Sequence, residues 1–227
     1  QILQENLNKA VSLTSKIVSN KTELPILTNI LITSQKNDIT ISATNLETSV
    51  VIKLPAKVEE EGRLALPAKT FQEIILSLSA EKVFLEREKE KLKIICGRTK
   101  AQINGLPADD FPVIPTLKEE DLAKSWKIKK EDMAMICQQV VLAASSDESR
   151  PVLNGVWLKM EKGKMTAVAT DGFRLSEKEI KGDFKEEKPL IVPARSLLEV
   201  GRLADKEEKE MIFFVDKKQN QIIFASK

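Results

Sequence analysis

The chain repeats itself, and this constrains its fold more than any other property of its 227 residues. LPILTNILI from Leu24 is answered by RPVLNGVWL from Arg150, so Pro25 and Pro151 stand 126 residues apart (151 − 25 = 126). Ala43-Thr44-Asn45 and Ala169-Thr170-Asp171 keep the same interval, as do LPAKTFQEI from Leu66 and VPARSLLEV from Val192. The last match aligns Pro67 with Pro193, Lys69 with Arg195 and Glu73 with Glu199. Ile94 and Ile222 lie 128 apart (222 − 94 = 128), which places a two-residue insertion before Ile222 in the second copy. One period shared by several separate segments marks a tandem duplication of a single structural unit.

Each copy reads the same way. Leu7, Ala10, Val11, Thr14, Ile17 and Val18 follow helical spacing, as do Met133, Ile136, Cys137, Val140 and Ala144. A proline turn then leads to an apolar strand, expected at 26–32 and from Val152 to Leu158. Asn37-Asp38 and Lys162-Gly163 read as hairpin turns before alternating strands. A second helix is expected from Pro67 and from Pro193, because a proline is tolerated in the first helical turn. Two more strands close the unit, in the first copy across the charged turn Glu86–Lys91. Hairpins mixed with helices predict an α+β fold in which two helices per unit pack on antiparallel sheets. Val113–Ser125, with its proline and charged run, reads as a linker. The domains are therefore drawn at 1–116 and 126–227, joined by 117–125.

Several chemistries are excluded. Histidine is absent, so imidazole acid–base catalysis and His-ligated metal cannot come from this chain. Cys96 and Cys137 stand apart in apolar runs and read as buried free thiols of a reducing cytoplasm. No Walker-type loop, paired-carboxylate motif or zinc spacing occurs, and no cofactor or metal is expected. The opening segment lacks the pattern of a signal peptide, and no apolar run is long enough to span a membrane. Asp171 beside Gly172 could suit an enzyme, with Glu177 or Glu179 as a second carboxylate. The duplicate carries Asn45 in its place, so a turn role survives loss of the charge where a catalytic one would not.

The 36 Lys and Arg nearly balance the 34 Asp and Glu, so any contact with phosphates depends on where the cations sit. Lys9, Lys16 and Lys21 occupy the segment from Asn6 to Thr22, which has no carboxylate. Lys69 and Arg195 repeat at equivalent positions, and Arg150 and Arg202 add charge in the second copy. Cations repeated by a duplicated fold suit sequence-independent phosphate contact.

LPIL (Leu24–Leu27), ATNLE (Ala43–Glu47), LPAK (Leu66–Lys69), LPADDFP (Leu106–Pro112), DESRPVLNGV (Asp147–Val156), ATDGFRLS (Ala169–Ser176) and VPARSL (Val192–Leu197) together resemble the bacterial sliding clamp family, the beta subunit of DNA polymerase III. The likeness covers the first two of the family's three domains, and the chain stops where the third would follow. It implies the DNA clamp fold and a non-catalytic processivity factor. Two subunits, joined head to tail as a homodimer, would encircle double-stranded DNA in the cytoplasm. Partners implied are the polymerase III alpha subunit, the delta subunit of the clamp loader, and other polymerases and repair proteins with clamp-binding motifs.

The resemblance also implies sites. A docking pocket for short apolar peptides would use Leu153, Thr170, Gly172, Phe173, Arg174 and Leu175, with Arg174 at its rim. Phe173 stands where many family members carry His. DNA contacts would fall on Lys21, Lys69, Arg150 and Arg195, beside Lys9 and Lys16. The subunit interface would use the edge strand Gly97–Asn104, with Arg98, Ala101 and Ile103 in contact. The competing reading is a peptide-docking module that never embraces DNA.

Overall fold

Leu7, Ala10, Val11 and Thr14 lie on one helical stripe and are all buried, which is what the spacing predicts. The computed structural model describes residues 1–18, 24–147, 149–185, 187, 189–203, 209–216 and 221–226. It divides into two units, Gln1–Pro115 and Thr116–Lys227.

In the first unit, β1 (Ile2–Leu3) leads into α1 (Gln4–Thr14). Four strands follow, β2 (Asn29–Gln35), β3 (Asp38–Thr44), β4 (Ser49–Pro55) and β5 (Gly62–Pro67), and then α2 (Ala68–Ser77). The unit closes with β6 (Lys82–Glu88), β7 (Lys91–Cys96) and β8 (Thr99–Asn104). The strands form two antiparallel sheets, β4-β3-β2-β5 and β1-β6-β7-β8. Gln4 ties the helices together: its Nε2 donates to Ile75 O at 2.8 Å, setting the start of α1 beside the end of α2. Thr14 ends α1 by turning its hydroxyl back onto Ala10 O at 2.9 Å, a bond that competes with helix continuation.

The second unit opens with the single-turn helix α3 (Glu119–Leu122), inside the stretch read as linker. After it come β9 (Trp126–Lys129) and α4 (Lys130–Met135), then β10 (Gly155–Glu161), β11 (Lys164–Thr170), β12 (Leu175–Lys181) and β13 (Leu190–Pro193). Helix α5 (Ala194–Leu203) and strands β14 (Glu210–Asp216) and β15 (Gln221–Ala225) complete it. Its sheets are β12-β11-β10-β13 and β15-β14-β9, both antiparallel. Phe213, 1% exposed, centres their core, with the rings of Trp126, Phe224 and Phe184 at 5.2, 5.9 and 6.3 Å.

The period recurs element by element. Ala68 and Ala194 start equivalent helices 126 apart (194 − 68 = 126), whereas β6 and β14 start 128 apart (210 − 82 = 128). The insertion therefore falls between α5 and β14.

Several boundaries differ from those expected. Residues Pro25–Thr28 form a 3-10 turn, and 151–154 also turn, so the two apolar strands start at Asn29 and Gly155. Pro67 and Pro193 end strands β5 and β13 and precede their helices. Each lies in an edge strand, where a missing N–H costs no ladder bond. The first hairpin turns at Lys36-Asn37, with Lys36 at φ 50°. The charged hairpin of the first unit turns at Lys89-Glu90, and the two strands it joins are followed by a third, in the segment the resemblance gives as an edge strand. The helix of the second copy starts at Lys130, runs only to Met135, and continues as a π-helical turn, Ile136–Val140, and a 3-10 turn. Ser176 Oγ donates to Gln139 O at 2.6 Å and satisfies a carbonyl inside that π turn.

The helix pair is packed differently in the two copies. Val11 and Ile75, both 0% exposed, correspond to Cys137 and Gly201. A Cβ on Gly201 would sit 2.8 Å from Cys137 Sγ. The Cys137 thiol donates to Leu197 O at 3.2 Å, and burial raises its pKa against the pull of the Gly201 backbone amide. Cys96 is buried, but Cys137 is only half-buried, which corrects the expectation for it.

Gly201→Ala should destabilise the second unit by about 1–2 kcal/mol, because overpacking outweighs the gain in helix propensity. Cys137→Ala should remove most of that penalty. Denaturant melts of both single variants and the double variant measure the coupling, and additive effects would contradict the contact.

Candidate functional site

Two loops of the second unit meet at one end of its sheet. The register Trp157↔Val168 brings the start of β10 level with the end of β11, so the turn Arg150–Asn154 and the loop Asp171–Arg174 share that end. Asn154 fixes the first turn: its Nδ2 donates to Ser145 O at 2.9 Å and its O accepts from Ala194 N at 3.1 Å.

The second loop is held by two side chains. Thr170 Oγ1 accepts from Gly172 N at 3.1 Å and donates to Arg174 O at 2.7 Å. Asp171 Oδ1 accepts from the N–H groups of Phe173 and Arg174, both at 3.0 Å. Those two backbone bonds, the Arg174 one first, hold the Asp171 carboxyl below its ordinary pKa. Its Oδ2 receives Arg174 Nε at 3.0 Å. Both oxygens are thus committed to the loop, and Glu179 is paired with Lys164 at 2.9 Å.

The first copy repeats this loop. Thr44 Oγ1 accepts from Leu46 N at 3.0 Å, and Asn45 Oδ1 accepts from Glu47 N at 3.1 Å and Thr48 N at 2.7 Å. Gly172 at φ 93° has its counterpart in Leu46 at φ 75°, a strained conformation for a side-chain-bearing residue. What differs is the display. Phe173 is 99% exposed and Leu175 is 64% exposed, where the first copy carries Glu47 and Ser49. The fold therefore does not require apolar residues at these positions. Leu153 is half-buried, and Val152, which the sequence reading did not select, is 68% exposed. The motif around Pro151 put Val152 at the right place, but only the displaced strand start reveals that it faces outward.

The expected cations are spread over both units. Lys69 and Arg195 are the second residues of α2 and α5 and are exposed. A cation in the first turn opposes the helix dipole, so local stability does not account for its appearance in both copies. Together with the free N–H groups of a helix start, it suits a phosphate. Lys9 lies on the exposed side of α1 and Lys16 just beyond its end. Arg150 Nε approaches Asp147 Oδ2 at 3.5 Å. Lys21 lies outside the described residues. Among the described residues, no cluster of three or more Cys, Asp or Glu side chains suits a metal, and no helix is long and apolar enough to cross a membrane.

The expected interface strand is shorter than predicted. Gly97, at φ 53°, and Arg98 form the turn, and β8 starts at Thr99. β8 pairs only with β7 among the described strands and leaves its outer edge open. Ala101 is half-buried, but Ile103, 6% exposed, belongs to the core of its own unit, so its side chain is not a surface contact.

Residues 1–115 match the family described as DNA polymerase III beta subunit, N-terminal domain, and residues 127–227 match the central domain of the same subunit. The whole chain is 29% identical to the beta sliding clamp of Bacillus subtilis, covering 61% of that protein. A crystal structure of the Bacillus subtilis DNA polymerase sliding clamp is similar with a TM-score of 0.90 at 27% identity, over 99% of this chain and 61% of that one. A Pseudomonas aeruginosa sliding clamp bound to griselimycin is similar with a TM-score of 0.86 at 25% identity, over 95% of this chain and 59% of that one. The chain thus spans about three fifths of the length of these relatives.

The paired loops generate opposite expectations. Gly172→Ala should cost about 1 kcal/mol, while Leu46→Gly should gain about 0.5–1 kcal/mol by relieving a left-handed backbone. Denaturation midpoints at constant slope measure both, and a shift of the same sign in the two variants would contradict the shared geometry.

Proposed function

The chain belongs to the DNA polymerase III beta subunit family, and from that premise we propose that it forms part of a processivity factor that encircles duplex DNA and tethers the replicative polymerase. The observation that carries the tethering role is the exposed pair Phe173 and Leu175 on a loop whose duplicate holds Glu47 and Ser49. An apolar residue 99% exposed on a loop held by its own hydrogen bonds is a preformed anchor for a short apolar peptide. Leu153, Thr170, Gly172 and Arg174 complete the wall, with Arg174 as the polar rim. The peptides would come from the polymerase III alpha subunit, the delta subunit of the clamp loader, and other polymerases and repair proteins with clamp-binding motifs.

The protein performs no chemistry of its own in this reading. Lys69, Arg195, Arg150, Lys9, Lys16 and Lys21 make loose, salt-dependent contacts to phosphates, and topology prevents escape. Weak contact is what sliding requires, since base-specific bonds would arrest the ring. The open edge of β8, with Ala101 in the strand and Arg98 in the turn before it, joins the next subunit of a head-to-tail homodimer through main-chain pairing. The complete protein works on chromosomal DNA in the cytoplasm.

Full-length protein loaded by its clamp loader should remain on circular DNA and run off linearised DNA. Equal loss from both forms would favour a docking module that does not encircle DNA. Lys69→Ala should shorten retention mainly at low ionic strength, where exposed charges are least screened; an unchanged half-life at every salt concentration would remove Lys69 from the DNA face. Phe173→Ala in the full-length protein should weaken binding of a labelled peptide from the polymerase alpha subunit by at least tenfold, about 1.4 kcal/mol or more. Fluorescence anisotropy reads the change, and unchanged affinity would refute Phe173 as the anchor.

A further inference from the structure

Among the positions at which the two copies of the Thr-Asx loop differ, two are joined by a side-chain bond in the second copy. Where the second copy has Asp171 and Arg174, the first has Asn45 and Thr48. Asn45 makes both backbone bonds that Asp171 makes, so the turn needs only a side-chain carbonyl oxygen. The carboxylate is present in the copy whose loop carries an arginine three residues on, and its second oxygen is spent on that arginine.

We infer that Asp171 is a positioning residue for partner docking, one that orients Arg174 toward the peptide; this rests on the docking function proposed above. The side chain of Asp171 is 22% exposed and that of Arg174 63% exposed, so the carboxylate forms the recessed half of the pair and the guanidinium the outward half. The bond uses Nε alone. Four N–H donors remain on the two Nη groups, in the fixed fork of a planar guanidinium. Their natural acceptor is a carbonyl oxygen of the docked peptide. A peptide carboxylate is less suited, because Asp171 already supplies the counter-charge. A free arginine would lose its rotamer freedom on binding, and Asp171 removes most of that loss beforehand.

Asp171→Asn separates the two roles, because the first copy shows that Asn supports the turn. In the full-length protein this variant should bind the alpha-subunit peptide about fivefold more weakly, about 1 kcal/mol at 1.4 kcal/mol per decade, with an unchanged melting temperature. Arg174→Gln should weaken binding at least as much, and the double variant should be no weaker than Arg174→Gln alone. That non-additivity is a readout that a merely structural aspartate would not give. Fresh protein with its mass verified is needed, since an Asn-Gly pair deamidates back to Asp. Parent-like affinity in Asp171→Asn, or additive losses in the double variant, would overturn the inference. If Asp171→Asn lowers the melting temperature, the comparison of Arg174→Gln with the double variant still decides. A parent protein that fails to bind the peptide overturns the docking reading itself, a result distinct from equal binding by parent and variant.

Discussion

Each unit is organised around the burial of one helix pair against antiparallel strands. Leu7, Val11, Phe71 and Ile75 are all 0% exposed, and burying side chains of this size contributes about 1.5–3 kcal/mol each. The exposed helix starts and loops are positioned by that packing. Helices α2 and α5 follow strands that end in proline, so the residue after each helix start is delivered to the same exposed position in both copies. The Arg150–Asn154 turn is fastened to the start of α5 through Ala194 N, which couples the loop end of the sheet to the helix layer. The second copy reaches the same arrangement with a smaller pair, Cys137 and Gly201, and with a π turn in place of a regular helix.

Local preference is overridden at several exposed positions. Lys69 and Arg195 sit where a carboxylate would be the better choice for the helix. Leu46 holds a backbone conformation that its duplicate gives to glycine. Phe173 presents an aromatic ring to water on a loop that the first copy builds with glutamate. Local sequence and global fold usually agree, and sites where they part mark either function or its remnants.

The duplication, the alternation of helices and hairpins, and the Asx turn were all legible in the sequence, because each depends on residue type at a fixed spacing. Strand starts were not. The segment Pro25–Thr28 is as apolar as a strand, but Leu27 is buried through a 3-10 turn, and apolarity alone cannot separate the two. The π turn at Ile136–Val140 escaped for a related reason: its apolar residues keep near-helical spacing while the hydrogen bonding changes. Phe213 and its neighbouring rings come from three distant segments, and only the pairing of β9 with β14 brings Trp126 to it. In the candidate site, the residue identities were readable, but the inward turn of Ile103 and the second oxygen of Asp171 were not, since both depend on where a side chain points.

The repeated loop has a consequence for how many ligands one chain can hold. Its hydrogen-bonded frame occurs twice, yet the aromatic tip, the neighbouring leucine and the acid–arginine pair occur once, in the second unit. A compound that recognises only the main chain of the turn would find two receptors in these two units. One that leans on Phe173 and Arg174 would find one of the two.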